Sequence, residues 1–562
     1  MRPRGLLLLG LVCAAGAARL AAAGKDADAW KSQVIYFLLT DRYAQAPGST
    51  PGGPCKLTGW NNGTWSGITH NLDAIKDMGM TAVWITPIPK QVEGEYFGET
   101  GYHGYWAAEW DKLEPHYGSE ADLLELLKTA KAKGVMTMLD VVANHVGPVG
   151  YNYSSIRPFN RPEHYHNCTP GCDQWCSIPQ SAYESKPQNY DLITRCRLQS
   201  LPDLNQSVPY VHDALIDWLR TTVKKYDFDG LRIDTVKHVE PSFWRDFTAA
   251  AGRFTLGEVL NPDVETLVPF VSGPRPASDS VLNFPLFYAL TDAFAKGGDM
   301  TKLAWERGRQ YGVLGREVVS TMGNFVDNHD FPRFLTVQPD KRRLANALTW
   351  VLMAEGLPVI YYGTASGATG VVAGGANRRC LWEMPYNTSS PLYTTIERLA
   401  KFRTANKVWR EPETTLTATK DCHVFSRGPG VLVATTNVGA GKDVTCSVQL
   451  PANSTLLTGG VAGVQDVLPT PAGHSNGLVW FPDTRRLTIR LTDGAPRVLT
   501  NRAAVLPRRL EGTAPAALAN ACPGDGNQCA TAAPAPPTNE AILAKLPACF
   551  VALAVFVAAL LL

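Results

Sequence analysis

Eight short apolar runs, separated by stretches of helical periodicity, constrain this chain more than any other feature. They are VIYFLL from Val34, AVWITP from Ala82, VMTMLDVV from Val135, GLRIDT from Gly230, FTLGEV from Phe254, SVLNFPL from Ser280, STMGNFVDNHD from Ser320 and PVIYYG from Pro358. Strands that are apolar almost throughout are buried on both faces, which points to a parallel sheet covered by helices. The intervening segments supply those helices. SEADLLELLKTAKAKG runs from a Ser119 N-cap to a Gly134 stop, and VPYVHDALIDWLRTTVKKY, from Val208, repeats the amphipathic pattern. Eight such units predict an α/β fold, a closed (β/α)8 barrel whose functional residues stand at the C-terminal ends of the strands.

The spacing breaks once. Between Gly147 and Leu201 no periodic helix appears, yet Cys168, Cys172, Cys176 and Cys196 crowd together. Residues 146–203 are therefore expected to form a disulfide-stapled domain inserted after the third strand. The barrel is expected to span 24–405. Beyond it, the alternating runs GVLVATTNV, VTCSVQL and RRLTIRL predict a C-terminal antiparallel β-sandwich over 406–500. Residues 501–540 turn Pro/Ala-rich, as a stalk does, and 541–562 form an apolar tail.

The termini and cysteines indicate the compartment. Arg2 and Arg4, an apolar run from Leu6 and small residues up to Ala23 read as a secretory signal peptide over 1–23. Twelve cysteines fit an oxidising environment. Cys422 and Cys446 are placed to bridge within the β domain, and Cys522 and Cys529 within the stalk. A zinc site is the competing reading of CTPGCDQWC, but its spacing is irregular and no second ligand pair lies nearby. Six sequons, at Asn62, Asn152, Asn167, Asn205, Asn387 and Asn453, agree with export as a glycoprotein. The final apolar run behind a small-residue spacer fits a GPI-attachment signal, with a membrane-spanning helix as the alternative. A formal net charge of +2 over 562 residues gives no electrostatic footprint for nucleic acid.

Asp234, Glu258 and Asp330 each close one of the strand runs. A single carboxylate there has a plain explanation as a helix cap or ion pair. Three from three strands of one barrel converge on one cleft. Paired carboxylates are the apparatus of glycoside hydrolysis, in which one attacks the anomeric carbon and the other protonates the leaving oxygen. Period two puts Arg232 on the face of Asp234, where it keeps that aspartate ionised and oriented. Glu258 follows the apolar FTLG, and partial burial there holds it protonated as an acid. His145 and His329 are donors suited to sugar hydroxyls.

DVVANH (140–145), GLRIDTVKH (230–238), GEVL (257–260) and FVDNHD (325–330) resemble the four ordered conserved regions of the α-amylase family, and LPDLN (201–205) resembles its fifth. GYHGYW (101–106) and GTWSGI around Trp65 are similar to secreted fungal α-amylases, and the likeness covers roughly residues 30–410. The resemblance implies Asp234 as nucleophile, Glu258 as general acid/base and Asp330 as transition-state stabiliser. It places His145, Arg232 and His329 around the sugar at the cleavage point and Tyr105 stacked beneath it. Trp106, Lys237, His238 and Arg378 line neighbouring subsites. It implies a structural Ca2+ held by Asn144, Asp203 and the backbone carbonyl of His238, with Asp191 as a further candidate.

Several positions depart from that pattern. An acid expected shortly before Arg378 is a glycine, Pro262 and Ser66 replace an expected glycine and glutamine, and Cys55 lacks its expected partner. The implied activity is retaining endo-hydrolysis of α-1,4-glucosidic bonds by a monomer tethered to a membrane through its C-terminus. An α-glucan transglycosylase at the cell surface and a catalytically silent amylase-like binding protein are the alternatives.

Overall fold

The computed structural model describes residues 27–49, 53–273, 276–469 and 477–502. The expected leader, the apolar tail, nearly all of the stalk and the Cys522–Cys529 pair lie outside them. Among the described residues no helix is long and apolar enough to cross a membrane.

All eight apolar runs form parallel strands: β1 (Ile35–Phe37), β2 (Ala82–Ile85), β5 (Met136–Val141), β6 (Gly230–Ile233), β7 (Phe254–Gly257), β8 (Ser280–Val281), β9 (Gly323–Asn324) and β10 (Leu357–Tyr361). Their order around the sheet is β8-β7-β6-β5-β2-β1-β10-β9. A parallel bridge between Leu282 and Gly323 joins its two edges and closes the barrel. Two strand glycines mark close approaches of backbone and side chain. A Cβ on Gly230 would stand 2.5 Å from the Trp30 ring, and one on Gly257 would stand 2.9 Å from Ser278 and 3.0 Å from Val236. The expected helices form. Ser119 makes a reciprocal capping box with Asp122 at the start of Glu120–Ala132, and Gly134 follows its end at a φ of +67°. The helix after Val208 spans Pro209–Tyr226 and buries Val211, Leu215, Leu219 and Val223.

Two excursions leave the barrel. An antiparallel pair that the apolar periodicity does not announce, β3 (Pro89–Gln91) and β4 (Ala107–Leu113), follows β2. The insertion after β5 is built of short helical turns stapled by Cys168–Cys176 and Cys172–Cys196. It returns to the barrel where His145 bridges Asp203.

Cys55 is not unpaired: it bonds Cys380, 325 residues away. No local pattern announces this pairing. Arg42 gathers the two segments, donating to the carbonyls of Leu57 (3.1 Å), Gly59 (2.8 Å) and Arg378 (3.3 Å).

The C-terminal domain holds two antiparallel sheets. One is β11 (Glu413–Ala418), β12 (Cys422–Arg427), β13 (Val431–Thr436), β18 (Arg497–Thr500) and β15 (Gln465–Asp466). The other is β14 (Val444–Gln449), β17 (Arg486–Leu491) and β16 (Leu478–Phe481). Cys422–Cys446 joins the two sheets, as expected. A buried charge network fastens this domain to the barrel. The Glu413 carboxylate accepts from Arg307 Nε (3.1 Å) and Nη2 (3.0 Å) and from the Glu355 backbone amide (2.8 Å). Burial alone would push Glu413 up, but Arg307 and the amide hold it below the ordinary value of 4.5. A depressed carboxyl contributes stability above its unfolded value and loses it as pH falls through the folded one. Glu413→Gln leaves Arg307 buried without its counter-charge and is expected to cost roughly 3–5 kcal/mol at pH 7. Chemical denaturation should show the gap to the parent narrowing below about pH 4.

Candidate active site

The site is set by parallel strand register. Asp140 on β5 stands beside Arg232 on β6, and Arg232 beside Leu256 on β7, so one inward-facing layer crosses adjacent strands. The ladder continues past the strand ends, with Asp234 N donating to Val141 O (2.9 Å) and Glu258 N to Ile233 O (2.8 Å). The backbone thus delivers both carboxylates to the same rim.

Arg232 is the hub. Its Nη1 donates to Asp140 (2.9 and 3.1 Å) and to Asp234 Oδ1 (2.7 Å), while Nη2 stands 3.0 Å from Glu258 Oε2. Asp140 also accepts from Tyr105 Oη (2.8 Å) and Trp84 Nε1 (3.0 Å). Glu258 accepts from the Thr235 amide at 3.0 Å. Burial pushes all three carboxyls up, Asp140 and Asp234 to about 6 and Glu258 to about 7, although Arg232 pulls each of them down. Arg232 therefore does not hold Asp234 at an ordinary aspartate value, because burial outweighs its pull and the charges of Asp140 and Asp330 add to the rise. Near neutrality Glu258 can carry a proton part of the time beside an Asp234 that is more often ionised.

Asp330 lies on the far wall and is more open, its side chain 33% exposed. His329 Nε2 stands 3.6 Å from its Oδ2, and Arg378 Nη2 donates to its Oδ1 at 3.3 Å. The Tyr105 ring stacks against His329 at 5.1 Å, and His145 Nε2 lies 3.2 Å from the Tyr105 carbonyl. Burial lowers the imidazoles of His145, to about 4, and of His329 and His238, so at neutral pH they offer uncharged donors and acceptors. Trp106 is buried, its amide donating to Gln91. Lys237 donates to the Leu260 carbonyl at 2.8 Å, and Tyr183 Oη lies 3.1 Å from His238 Nε2.

A second cluster lies where the insertion meets the barrel. The Asn144 side-chain amide stands 3.0 Å from the His238 carbonyl and 3.2 Å from Asp203 Oδ1, and with its nitrogen toward them it donates to both while its oxygen accepts from His145 Nδ1. Asp191 is not brought into this group. Its helix (Tyr190–Arg195) packs beside the Val236–His238 turn, but its carboxylate is exposed and pairs with Arg195, one helical turn away, at 3.2 Å.

Four groups at the site are marked weakly or not at all by the sequence around them. Asp140 closes the third strand run as Asp234 closes the fourth, and that likeness was its available signal. Trp84 and Tyr183 carried none beyond being aromatic. Glu99, whose Oε1 stands 3.6 Å from Arg378 Nη1, supplies from a distant loop the acid missing near Arg378.

Arg232→Met would leave three carboxylates facing one another. A carboxyl raised in the fold contributes stability below its unfolded value and loses it as pH rises through the folded one. The variant is therefore expected to approach the parent near pH 4.5 and to fall roughly 3–5 kcal/mol below it at pH 7.5 in denaturant titrations.

Comparison with known proteins agrees with this geometry. Residues 37–409 match the family model described as alpha amylase, catalytic domain. An uncharacterised glycosyl hydrolase of Schizosaccharomyces pombe is 32% identical over 496 residues, 85% of this chain and 94% of that protein. Alpha-amylase 3 of the same organism is 31% identical over 494 residues, 85% of this chain and 83% of its own. The structure of an alpha-amylase from Malbranchea cinnamomea superposes with a TM-score of 0.73 at 32% identity, covering 84% of this chain and 97% of the other.

Proposed function

This chain belongs to the α-amylase family of glycoside hydrolases, and on that premise we propose that it cleaves α-1,4-glucosidic bonds within α-glucans with retention of configuration. The observation that carries this reading is one guanidinium, that of Arg232, gripping Asp234 at one nitrogen and Glu258 at the other. Two carboxylates held so closely suit the spacing of about 5 Å that retaining enzymes use. Asp234 attacks the anomeric carbon while Glu258 passes its proton to the departing glycosidic oxygen, leaving a glycosyl ester on Asp234. Glu258, now ionised, takes a proton from water as that water displaces the ester, which restores both groups. Asp330, His329 and His145 hold the sugar hydroxyls around this centre. Four disulfides among the described residues suit work in an oxidising compartment.

The first product released from maltoheptaose is expected to be the α-anomer, read by NMR before mutarotation. Asp234→Asn is expected to lose at least about three orders of magnitude in kcat while melting as a folded protein. Early β-anomer, or near-parental turnover by that variant, would overturn the assignment. Products longer than the substrate would instead point to transglycosylation by the same machinery.

With the Asn144 side-chain oxygen turned toward Asp203 and the His238 carbonyl, these groups would present the amide, carboxylate and carbonyl oxygens that Ca2+ takes. Bound there, the ion would tie the insertion to the loop that follows Asp234 and neutralise the buried Asp203. Chelation is expected to lower Tm and added Ca2+ to restore it. An unchanged melting curve after exhaustive chelation would instead favour a rotated Asn144 amide that donates to both neighbours.

A further inference from the structure

The loop between β3 and β4 ends in a tight hairpin, Tyr96-Phe97-Gly98-Glu99. Tyr96 N donates to Glu99 O at 2.8 Å and Glu99 N to Tyr96 O at 3.0 Å. The two central residues have φ of +56° and +79°. Positive φ at both positions is the requirement of a type I′ turn, which Asn-Gly meets and to which a bulky side chain at the first position is poorly suited. Burial offers no compensation, since Phe97 is 49% exposed. Neither local conformation nor packing explains a phenylalanine here, and such local conflicts concentrate at functional positions.

Both flanks of the turn are anchored to the cleft. The Tyr96 ring meets the Trp106 ring edge-on at 6.5 Å. Glu99 pairs with Arg378, whose other nitrogen reaches Asp330. The two-residue tip is thus tethered on both sides to residues of that cleft. There a rigid aromatic face, with only two side-chain torsions to immobilise, offers what the C–H face of a glucose ring stacks upon.

We propose that Phe97 forms an additional sugar subsite for an α-glucan chain, beyond the residues that hold the ring being cleaved, and that the Glu99–Arg378 pair fixes its position. This inference rests on the amylase reading above. It makes Phe97 a determinant of chain-length preference rather than a catalytic residue.

Phe97→Asn removes the ring and at the same time suits the turn, so misfolding cannot account for a loss. The variant should melt at or above the parent temperature. Its kcat/KM for maltoheptaose should fall roughly three- to tenfold, through KM, with little change for maltotriose. Phe97→Tyr should retain the preference. Equal effects on the two substrates, or none on either, would overturn the subsite and leave the amylase reading standing. So would a dimer of the parent, seen by sedimentation and lost in Phe97→Asn, because the ring would then serve a second copy. A parent that turns over neither sugar would overturn the amylase reading, and the subsite with it.

Discussion

A single buried guanidinium shared by three carboxylates organises this molecule's chemistry. Three acids in one apolar layer would otherwise repel one another or take up protons, and the Arg232 cation is what allows them to stand together. Even so, burial outweighs the pull of that cation and leaves all three carboxyls above their ordinary values.

The supports behind this hub come from several strands at once. Tyr105 and Trp84 spend their polar hydrogens on Asp140, and Phe37 on β1 stacks against Trp84 with ring centroids 3.8 Å apart. The aromatic layer under the site is therefore continuous with the barrel core. On the opposite wall, Arg378 divides itself between Asp330 and Glu99, a smaller version of the same device. The C-terminal domain is fastened by comparable means, with Glu413 placed between Arg307 and the Glu355 amide.

What the sequence disclosed follows the range of the forces involved. Strand runs are legible because burial on both faces forces a continuous apolar pattern, and all eight appear where that pattern places them. Carboxylates at strand ends are legible because register carries them to one rim. Contacts between distant segments leave no such trace. Nothing around Glu99 marks it as the partner of Arg378, and nothing around Cys55 points to Cys380. Asp191 stands apart for a local reason: helical geometry turns its carboxylate toward Arg195 and away from Asn144.

The bond between Cys55 and Cys380 has a topological consequence. It makes a covalent ring of the intervening chain, and that ring contains Asp140, Asp234, Glu258, Asp330 and Arg378. A protease that cuts one exposed loop inside the ring opens it without releasing a fragment. Both pieces stay attached, and the strands that carry the carboxylates keep their neighbours. A single nick is then damage to a loop and not the loss of the site.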